Sequence, residues 1–471
     1  MRAVRASAAS NGEYVTAAGA IVVSAPSSGS GKTTVATGLM GALGRAGHRV
    51  APFKVGPDFI DPGYHCLATG RPGRNLDPVL VGEDMIGPLY RHGSRDADIA
   101  VVEGVMGLFD GRIDEQFLIP ARGSTAQVAA ALGAPVLMVV DARGQSQSLA
   151  AVLQGFSTFQ PGLRIGGVIL NRVGTPRHEQ VLRQACDAVG LRVLGALPRH
   201  DDLAVPSRHL GLVTAAEHGE AARAAVAAMA ELVTRHVDLT AVVALAGSTV
   251  TVAPWSPADA VGEPVGGNPV VAVAAGAAFT FGYAERDELV YAAGGQPVPF
   301  DPLTDTLPAD SAAVVLPGGF PEQYPEQLSA NSTLRAQLRE LSDHAPVHAE
   351  CGGLTYLMSD LDGHPMCGVL AGRARFTERL VLGYRDAVAA ADSPNYGTGT
   401  RVTGHEFHRT TVEFADPGQP AWLLRGVDGR SVGEGAVRAG IHASYLHVHP
   451  AAQPQSTRRF VERASVNRLV R

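Results

Sequence analysis

The sequence predicts an α/β fold with parallel sheets in two successive domains, and three observations lead to this prediction. From "GAIVVSAP" onward, short runs rich in Val, Ile and Ala alternate with longer Ala, Leu and Arg segments of helical character. Each short run is almost continuously apolar, as expected for strands that helices cover on both faces. The same pattern begins again at "VVAVAAGAAF", after a stretch rich in Gly, Pro and Ser.

The composition is that of a globular chain and excludes several classes of partner. The 471 residues are 45% hydrophobic and 18% charged, which suits two or three packed domains. A net charge of −6 without any Lys/Arg-rich run argues against nucleic acid as a partner. No apolar run reaches the roughly 18 residues of a membrane span, and we find no export signal. The cysteines lack C-x-x-C spacing, so we expect a cytoplasmic protein without a disulfide framework.

The predicted elements follow one another in a simple order. An N-terminal extension at 1–18 precedes a first domain at 19–240, and a linker at 241–268 leads to a second domain at 269–460. The amphipathic segment 212–239 is predicted to be the helix that closes the first domain. The candidate strands of that domain are 20–25, 50–54, 98–103, 135–140 and 165–170.

The first candidate site is a phosphate-binding loop. In "IVVSAPSSGSGKTT", small residues and one lysine stand directly between an apolar strand and a helical segment. Backbone N–H groups of such a loop surround phosphate oxygens, while Lys32 would reach the β- and γ-phosphates and Thr33 would hold Mg²⁺. Pro26 stands where the usual first glycine would be, and the alternative is a turn with an incidental lysine. The residues predicted to bind ATP are Ser28, Gly29, Ser30, Gly31, Lys32, Thr33, Thr34 and Asn171.

Carboxylates suited to a Mg²⁺–nucleotide site follow two other predicted strands. "FKVGPDFIDPGYH" supplies Asp58 and Asp61, and "VVEGVMGLFDG" supplies Glu103 and Asp110. Since the carboxyl ends of parallel strands share one edge of a sheet, these acids are predicted to converge on the phosphate loop. The predicted metal ligands are Thr33, Asp58 and Glu103. The alternative is that some of the acids are turn or capping residues.

The second candidate site is a cysteine at a strand-to-helix turn. In "APVHAECGGLTYLM", Cys351 follows an apolar strand and precedes two glycines that permit a tight elbow. A thiol there faces backbone N–H donors and a helix N-terminus, and we expect both to lower its pKa. "VVLPGGFPEQY" supplies Gly318 and Gly319, which together with Gly352 are predicted to form an oxyanion hole. The alternative is that Cys351 is a small buried hydrophobe.

The candidate bases for this thiol lie further along the chain. "GIHASYLHVHP" contains His442, His447 and His449, and thiol acyl chemistry needs a histidine that is distant in sequence but adjacent in space. "GHEFHRT" offers His405 and His408 at H-x-x-H spacing as alternative zinc ligands, although no matching Cys or Asp framework accompanies them.

Taken together, the motifs resemble one enzyme family. They are "APSSGSGKTT", "KVGPDFIDPGYH", "EGVMGLFDG", "LPGGFPE", "HAECGGLTYL", "GHEFH" and "ASYLHVHP", in that order between residues 20 and 455. In them the chain resembles the cobyrinic acid and hydrogenobyrinic acid a,c-diamide synthases, two-domain glutamine amidotransferases of corrinoid biosynthesis. The resemblance implies a dethiobiotin-synthetase-like P-loop domain joined to a class I, triad-type glutamine amidotransferase domain. It also implies a carbon–nitrogen ligase that amidates the a and c acetates of a corrin-ring acid through an acyl phosphate, using ATP, Mg²⁺ and glutamine.

The resemblance assigns roles residue by residue. Cys351 matches the glutaminase nucleophile, His447 matches the histidine that activates it, and Lys32 and Thr33 match the ATP site. The family also has acids that interact with the metal, the substrate carboxylate and the reaction intermediate. The residues of this chain that match them are Asp58, Asp61, Glu103 and Asp110. Ala349 replaces the first glycine of the G-x-C-x-G elbow, and no glutamate follows His447 two residues on. The identity of a third triad member is therefore open.

The sequence also offers candidate residues for binding the acceptor. "RARFTERLVLGYRDA" contains candidate clamps for acceptor carboxylates, with a solvated basic face as the alternative: Arg373, Arg375, Arg379 and Arg385. Ammonia must reach the acyl phosphate unprotonated, so we expect a channel or closed cleft between the domains.

A sister enzyme acting on another tetrapyrrole or corrinoid carboxylate, such as cobyric acid synthase or nickel-sirohydrochlorin diamide synthase, is the nearest alternative function. A P-loop regulatory ATPase is another. The presence of cobalt in the acceptor and a homodimeric assembly stay open.

Overall fold

A computed structural model describes residues 17–113, 118–199, 215–416, 418–426 and 429–469. The predicted N-terminal extension falls outside these ranges except at residues 17 and 18, and so does the start of the predicted helix at 212–214. Within these ranges, no helix combines the length and the apolar character needed to cross a bilayer.

The first sheet is parallel and buried. Among the described residues its seven strands are β1 (Gly19–Ser24), β2 (Val50–Val55), β3 (Arg74–Leu76), β4 (Ile99–Glu103), β5 (Val136–Asp141), β6 (Ile165–Val173) and β7 (Val193–Pro198). They are ordered β3-β2-β4-β1-β5-β6-β7. The predicted strands correspond to β1, β2, β4, β5 and β6, while β3 and β7 lie outside the predicted set.

Helices cover this sheet on both faces, as its apolar strands require. They are α1 (Lys32–Arg45), α2 (Asp61–Thr69), α3 (Ile86–Gly93), α4 (Thr125–Leu132), α5 (Leu149–Phe159), α6 (Pro176–Asp187) and α7 (Ala215–His236). Successive residues of β1 point to opposite faces. Ile21 and Val23 pack in a cluster with residues of α1 and α7, whereas Ala20 and Val22 pack in a second cluster with α3 and α4.

Residues 241–268, predicted as a linker, pack against both halves of the chain. They contain the end of α8 (Leu239–Leu245) and the short α9 (Pro257–Val261). Between these helices the chain forms a backbone bridge from Gly247 to Ala20. Trp255 is buried, and its backbone N–H donates to the carbonyl of Pro88. The segment is therefore held in place by backbone hydrogen bonds and by burial of an aromatic side chain.

The second half of the chain contains two further sheets. Its strands are β8 (Val270–Ala274), β9 (Gln296–Phe300), β10 (Ser311–Leu316), β11 (Val347–Glu350), β12 (Met358–Leu361), β13 (His364–Pro365), β14 (Leu370–Ala389), β15 (Arg401–Phe414), β16 (Trp422–Arg425), β17 (Ser431–Glu434), β18 (Ala436–Arg438) and β19 (Ile441–Ser444). Its longer helices are α10 (Ala284–Ala292), α11 (Pro325–Ala330), α12 (Ser332–Ser342), α13 (Gly352–Leu357) and α14 (Pro454–Leu469). The predicted boundary at residue 460 falls within α14.

Sheet order places the candidate residues at strand ends. The order β18-β19-β11-β10-β8-β9 makes β11 the parallel neighbour of both β10 and β19, so the loops after these three strands meet. These loops carry Cys351, Gly318 and His447. In the first sheet the neighbours β2, β4 and β1 likewise bring together the loop after β2, Glu103 and the phosphate loop. The long antiparallel pair β14 and β15 belongs to the remaining sheet.

Candidate active site

The predicted phosphate loop lies between β1 and α1, with its backbone shaped by glycine. Gly31 has φ +96°, and a Cβ atom there would lie 2.2 Å from Nδ2 of Asn171. That amide nitrogen donates a 2.9 Å hydrogen bond to the carbonyl of Ser30, which ties the loop to β6. Ser28 and Gly29 are exposed at the tip of the loop, and Thr34 is half-buried in the first turn of α1. Contact between Asn171 and ATP stays a prediction.

Lys32 lies over this loop and is nearly buried. Its Nζ donates to the carbonyl of Ser27 at 3.3 Å. Burial, followed by the charge of Lys54, lowers the pKa of Lys32 to about 8. The ammonium is therefore close to a cluster of charges that includes Lys54.

That cluster is centred on Glu103, which is fully buried at the end of β4. Its Oε1 accepts hydrogen bonds from Thr33 Oγ1 at 2.6 Å and from Lys54 Nζ at 3.3 Å, and its Oε2 lies 2.6 Å from His65 Nε2. Lys54 also forms an ion pair with Asp61 Oδ2 at 2.9 Å. Burial opposes ionisation of Glu103, but the Lys54 charge and the bonds from His65 and Thr33 outweigh it and hold its pKa below the usual range.

The other predicted acids take different positions around the cluster. Burial, together with the charges of Asp58 and Glu103, raises the pKa of Asp61, and its buried Oδ1 has no hydrogen-bond partner among the described residues. Asp58 Oδ1 accepts from the backbone N–H groups of Ile60 and Asp61, in the turn that leads into α2. Asp110 Oδ2 accepts from Gly107 N at 2.9 Å. The turn alternative thus describes Asp58 and Asp110 better than Asp61.

The residues near the loop fit a Mg²⁺–nucleotide. Mg²⁺ is bound through one or two protein oxygens with phosphate and water completing its shell. Thr33 Oγ1, Glu103 and the unpartnered Oδ1 of Asp61 supply such oxygens beside Lys32. Within the described ranges no group of three or more His, Cys, Asp or Glu side chains would hold a metal by itself.

Cys351 stands on the predicted elbow between β11 and α13. Its backbone has φ +50° and ψ −105°, a conformation that a non-glycine residue adopts at a cost in energy. Its side chain is almost fully buried, and Sγ donates to the carbonyl of Phe407 at 3.6 Å. The N–H groups of Gly352 and Gly319 both interact with the sulfur. Two of the predicted oxyanion donors therefore converge on the nucleophile.

His447 meets Cys351 above Gly318. A Cβ atom at Gly318 would lie 2.4 Å from Cε1 and 3.2 Å from Nε2 of His447, and 3.2 Å from Cβ of Cys351. Glycine is required at this position because any side chain would displace the imidazole. Neither ring nitrogen of His447 has a hydrogen-bond partner among the described residues. The ring is thus buried beside the thiol with Nε2 available for it.

The electrostatics correct one prediction. Although Gly352 and Gly319 N–H groups lower the pKa of Cys351, burial and the negative charges of Glu322 and Glu350 act more strongly and raise it above that of an ordinary thiol. Burial also lowers the pKa of His447 to about 4. The resting pair is therefore a neutral thiol and a neutral imidazole, which is the state a general base requires.

Glu350 is a functional candidate that the sequence analysis did not select. It is buried directly before Cys351, where its Oε2 accepts from Arg286 Nη2 at 2.6 Å and its Oε1 lies 3.3 Å from His348 Nε2. Burial opposes its ionisation, but the charge of Arg286 and the His348 bond keep its pKa below the usual range. Its negative charge raises the pKa of His447 against the effect of burial. The sequence signal was its position next to the nucleophile.

The remaining predicted histidines have other contacts. His442 is packed among the rings of His348, Tyr396 and Trp422, and His449 lies against Tyr283 at a ring distance of 4.2 Å. His405 and His408 are three residues apart on β15, and side chains at that spacing point to opposite faces of a strand. The described residues thus give no support to a zinc site at these two histidines.

An aromatic cluster lies between the two sites. Phe59, between Asp58 and α2, has its ring centroid 4.9 Å from that of His447, 5.1 Å from Phe281 and 4.9 Å from Tyr283. Phe281 in turn contacts Phe320 and Phe407 beside Cys351. Phe59 therefore connects the loop that carries the acids with the base of the thiol site.

Protein-family models match both halves of the chain. Residues 21–213 match a CobQ/CobB/MinD/ParA nucleotide binding domain, and residues 270–455 match a CobB/CobQ-like glutamine amidotransferase domain. The phosphate loop and the Glu103 cluster lie in the first matched range, and Cys351 and His447 lie in the second.

Curated relatives match nearly the whole chain. A hydrogenobyrinate a,c-diamide synthase of Mycobacterium bovis is 66% identical over 95% of this chain and 98% of its own. A protein of the same name from Streptomyces coelicolor is 53% identical over 94% and 97%. A cobyrinate a,c-diamide synthase of Gloeobacter violaceus is 42% identical over 94% and 96%.

Proposed function

The chain belongs to the family of hydrogenobyrinate and cobyrinate a,c-diamide synthases, which are glutamine-dependent amidotransferases, and from this premise we propose its reaction. It converts the a and c acetate carboxylates of a corrin-ring acid into amides, with ATP to activate each carboxylate and glutamine to supply the nitrogen. We favour hydrogenobyrinate, the cobalt-free acid, because relatives at 66% and 53% identity carry that name. Free thiols at the cysteines suit the reducing cytoplasm, where we place the reaction.

The thiol site is proposed to release ammonia from glutamine. His447 takes the proton of Cys351 as the sulfur attacks the side-chain amide carbon, and the N–H groups of Gly319 and Gly352 stabilise the oxyanion. The carbon–nitrogen bond then breaks, and His447 returns the proton to the departing ammonia. Water hydrolyses the thioester to glutamate. The observation that carries this proposal is the convergence of Cys351 and His447 on Gly318.

Glu350 is proposed as the group that supports His447. It takes the place of the glutamate that many triad-type amidotransferases have two residues after the histidine and that this chain lacks. During the attack the imidazole becomes positively charged, and the buried carboxylate of Glu350 stabilises that charge. Arg286 and His348 hold the carboxylate in its place. Glu350 is thus a positioning residue that acts through His447.

The phosphate-loop site is proposed to activate the acceptor. A carboxylate oxygen of the corrin-ring acid bonds to the γ-phosphorus of ATP, the bond from that phosphorus to the β,γ-bridging oxygen breaks, and ADP leaves. Lys32 and the N–H groups of the loop stabilise the charge on the transferring group. Thr33 and Glu103 with Asp61 would hold Mg²⁺, which would supply further positive charge at the phosphates. Ammonia then displaces phosphate from the acyl phosphate to give the amide.

Mass spectrometry of the product tests this function. We expect hydrogenobyrinate incubated with the protein, ATP, Mg²⁺ and glutamine to exchange two hydroxyls for amino groups in succession and then stop. Cobyrinate and the a,c-diamide itself serve as comparison substrates in parallel reactions. Turnover of the diamide but not of hydrogenobyrinate would instead identify a sister amidotransferase, and glutamine-independent ATP hydrolysis with no amide would favour the regulatory ATPase.

Transfer of ammonia between the sites gives a separate prediction at Phe59. Since its ring lies against His447 and its neighbours carry the acids, we expect Phe59→Ala to open the aromatic cluster to water and let ammonia escape. Glutamate production continues, while the amide formed per glutamate falls from one to about half or less, because ammonia that escapes is protonated in solution. The two products are measured in the same reaction.

The control for this variant is Phe376→Ala, which removes an exposed ring on β14. It should leave the ratio of amide to glutamate unchanged. A Phe59→Ala protein that keeps the wild-type ratio would contradict a role in ammonia transfer, even if both rates fall.

A further inference from the structure

A basic groove of about 1550 Å³ lies between the two halves of the chain. The loop after β3 and Arg112 line it on one side, and strands β14, β15 and β16 line it on the other. Its arginines are Arg112, Arg379, Arg385, Arg401 and Arg425. Among the described residues that line the groove, Asp386 is the one acid. The groove therefore carries a positive charge in a chain whose net charge is −6.

Apolar side chains lie among these cations. Leu80 and Val81 face the groove from the first half, and Leu423 and Val432 face it from the second, with 38% and 52% of their surfaces exposed. Apolar area left in the open next to guanidinium groups suits a ligand with a hydrophobic body and a negatively charged rim. The volume of the groove exceeds that of an ordinary small-molecule pocket.

The groove adjoins the phosphate-loop site through Arg112. This residue also lines a cleft of about 1060 Å³ that contains Pro26 of the loop, Asp110 and Phe109. Asp110 is close enough to Lys32 for its charge to raise the pKa of that lysine. A ligand in the groove can thus extend one side chain past Arg112 towards the phosphate loop.

Two of the arginines are oriented by acids of the protein. Arg112 pairs with Asp386 at 2.8 Å, and Arg385 pairs with Glu406 at 2.7 Å. These pairs hold the two guanidinium groups at the wall of the groove. The contacts of Arg385 leave further N–H donors of its planar group for a second carboxylate.

We propose that this groove is the acceptor site, which binds the macrocycle of a polycarboxylic acid through its rim. The inference rests on the proposed function and deepens it. Arg379, Arg385 and Arg401 hold carboxylates that are not amidated, and the apolar side chains pack against the ring. The reacting acetate extends past Arg112 into the cleft of the phosphate loop, towards the γ-phosphate. Of the arginines predicted as clamps, Arg379 and Arg385 line the groove, whereas Arg373 and Arg375 do not.

Direct binding tests this assignment without turnover. Hydrogenobyrinic acid is titrated into the protein in the absence of glutamine, and its absorbance change gives Kd. We expect Arg379→Gln and Arg401→Gln each to raise Kd about tenfold, the cost of one charge-assisted hydrogen bond. The KM for ATP and the basal glutaminase rate should stay at wild-type values, and the fully methyl-esterified acid should not bind.

The matched control is Arg373→Gln, on the same strand as Arg379 but outside the groove lining. It should leave Kd unchanged, and thermal unfolding shows whether each variant is folded. If the wild type binds and amidates the acid while both groove variants keep its Kd, the groove assignment is wrong and the proposed function stands. If the wild type neither binds nor amidates the acid, the proposed function itself fails.

Discussion

Replacing Cys351 by alanine is expected to lower glutamine-dependent amide formation on the order of 10³-fold or more, because loss of a nucleophile removes the covalent route entirely. Ammonium chloride should still support amide formation at close to the wild-type rate. The phosphate-loop site, which uses ammonia directly, keeps Lys32, Thr33 and Glu103 unchanged. The measurement compares initial rates of amide formation with glutamine and with ammonium chloride at one pH.

A cysteine elsewhere provides the control. Cys66 lies in α2 with its thiol exposed, so Cys66→Ala should leave both rates unchanged. Because Cys351 is packed and strained, the Cys351→Ala protein must also be shown to unfold at a temperature near that of the wild type. Retained use of glutamine by a folded Cys351→Ala protein would refute the role of this thiol, and loss of both rates would show that the two sites are not separable.

The parallel sheets were predictable because their strands are apolar along their whole length. The predicted strand 20–25 and β1 (Gly19–Ser24) differ by one residue at each end. β14 and β15 could not be recognised in this way, because their exposed faces carry Arg, Glu and Thr and no continuous apolar run marks them. These two strands place Phe407 against Cys351 and form a wall of the groove, so much of the site's enclosure was not visible in the sequence.

The candidate site shows the same division between local and tertiary information. A motif next to a strand end was enough to select Cys351 and Lys32, since the relevant spacing is local. The contact of Lys54 with Glu103 depends instead on the register of β2 against β4, which pairs these two residues. The pKa of Cys351 is raised because burial outweighs the N–H donors of the elbow, which lower it. The local sequence could therefore predict the N–H donors at the elbow, but not the burial that decides whether the pKa of the thiol rises or falls.

Replacing Lys32 by methionine is expected to impair the half-reaction that Cys351→Ala leaves intact. The change keeps the length of the side chain but removes the charge that faces the phosphates, so amide formation should fall on the order of 10²–10³-fold with glutamine and with ammonia alike. Glutaminase activity without ATP should persist, because Cys351, His447 and Glu350 lie in the other half of the chain. Glutamate release and amide formation are measured in parallel.

The pH dependence adds a second readout that a structural defect would not produce. Lys32 in the free enzyme has a pKa of about 8, so it is charged below that pH and becomes neutral above it. We expect kcat/KM for ATP in the wild type to decline above pH 8, and Lys32→Met to lack this decline. Arg143→Ala, which removes an exposed guanidinium paired with Asp141, should keep both the rate and the decline. A Lys32→Met protein with the wild-type rate, or with the same decline above pH 8, would show that another group carries the charge that ATP requires.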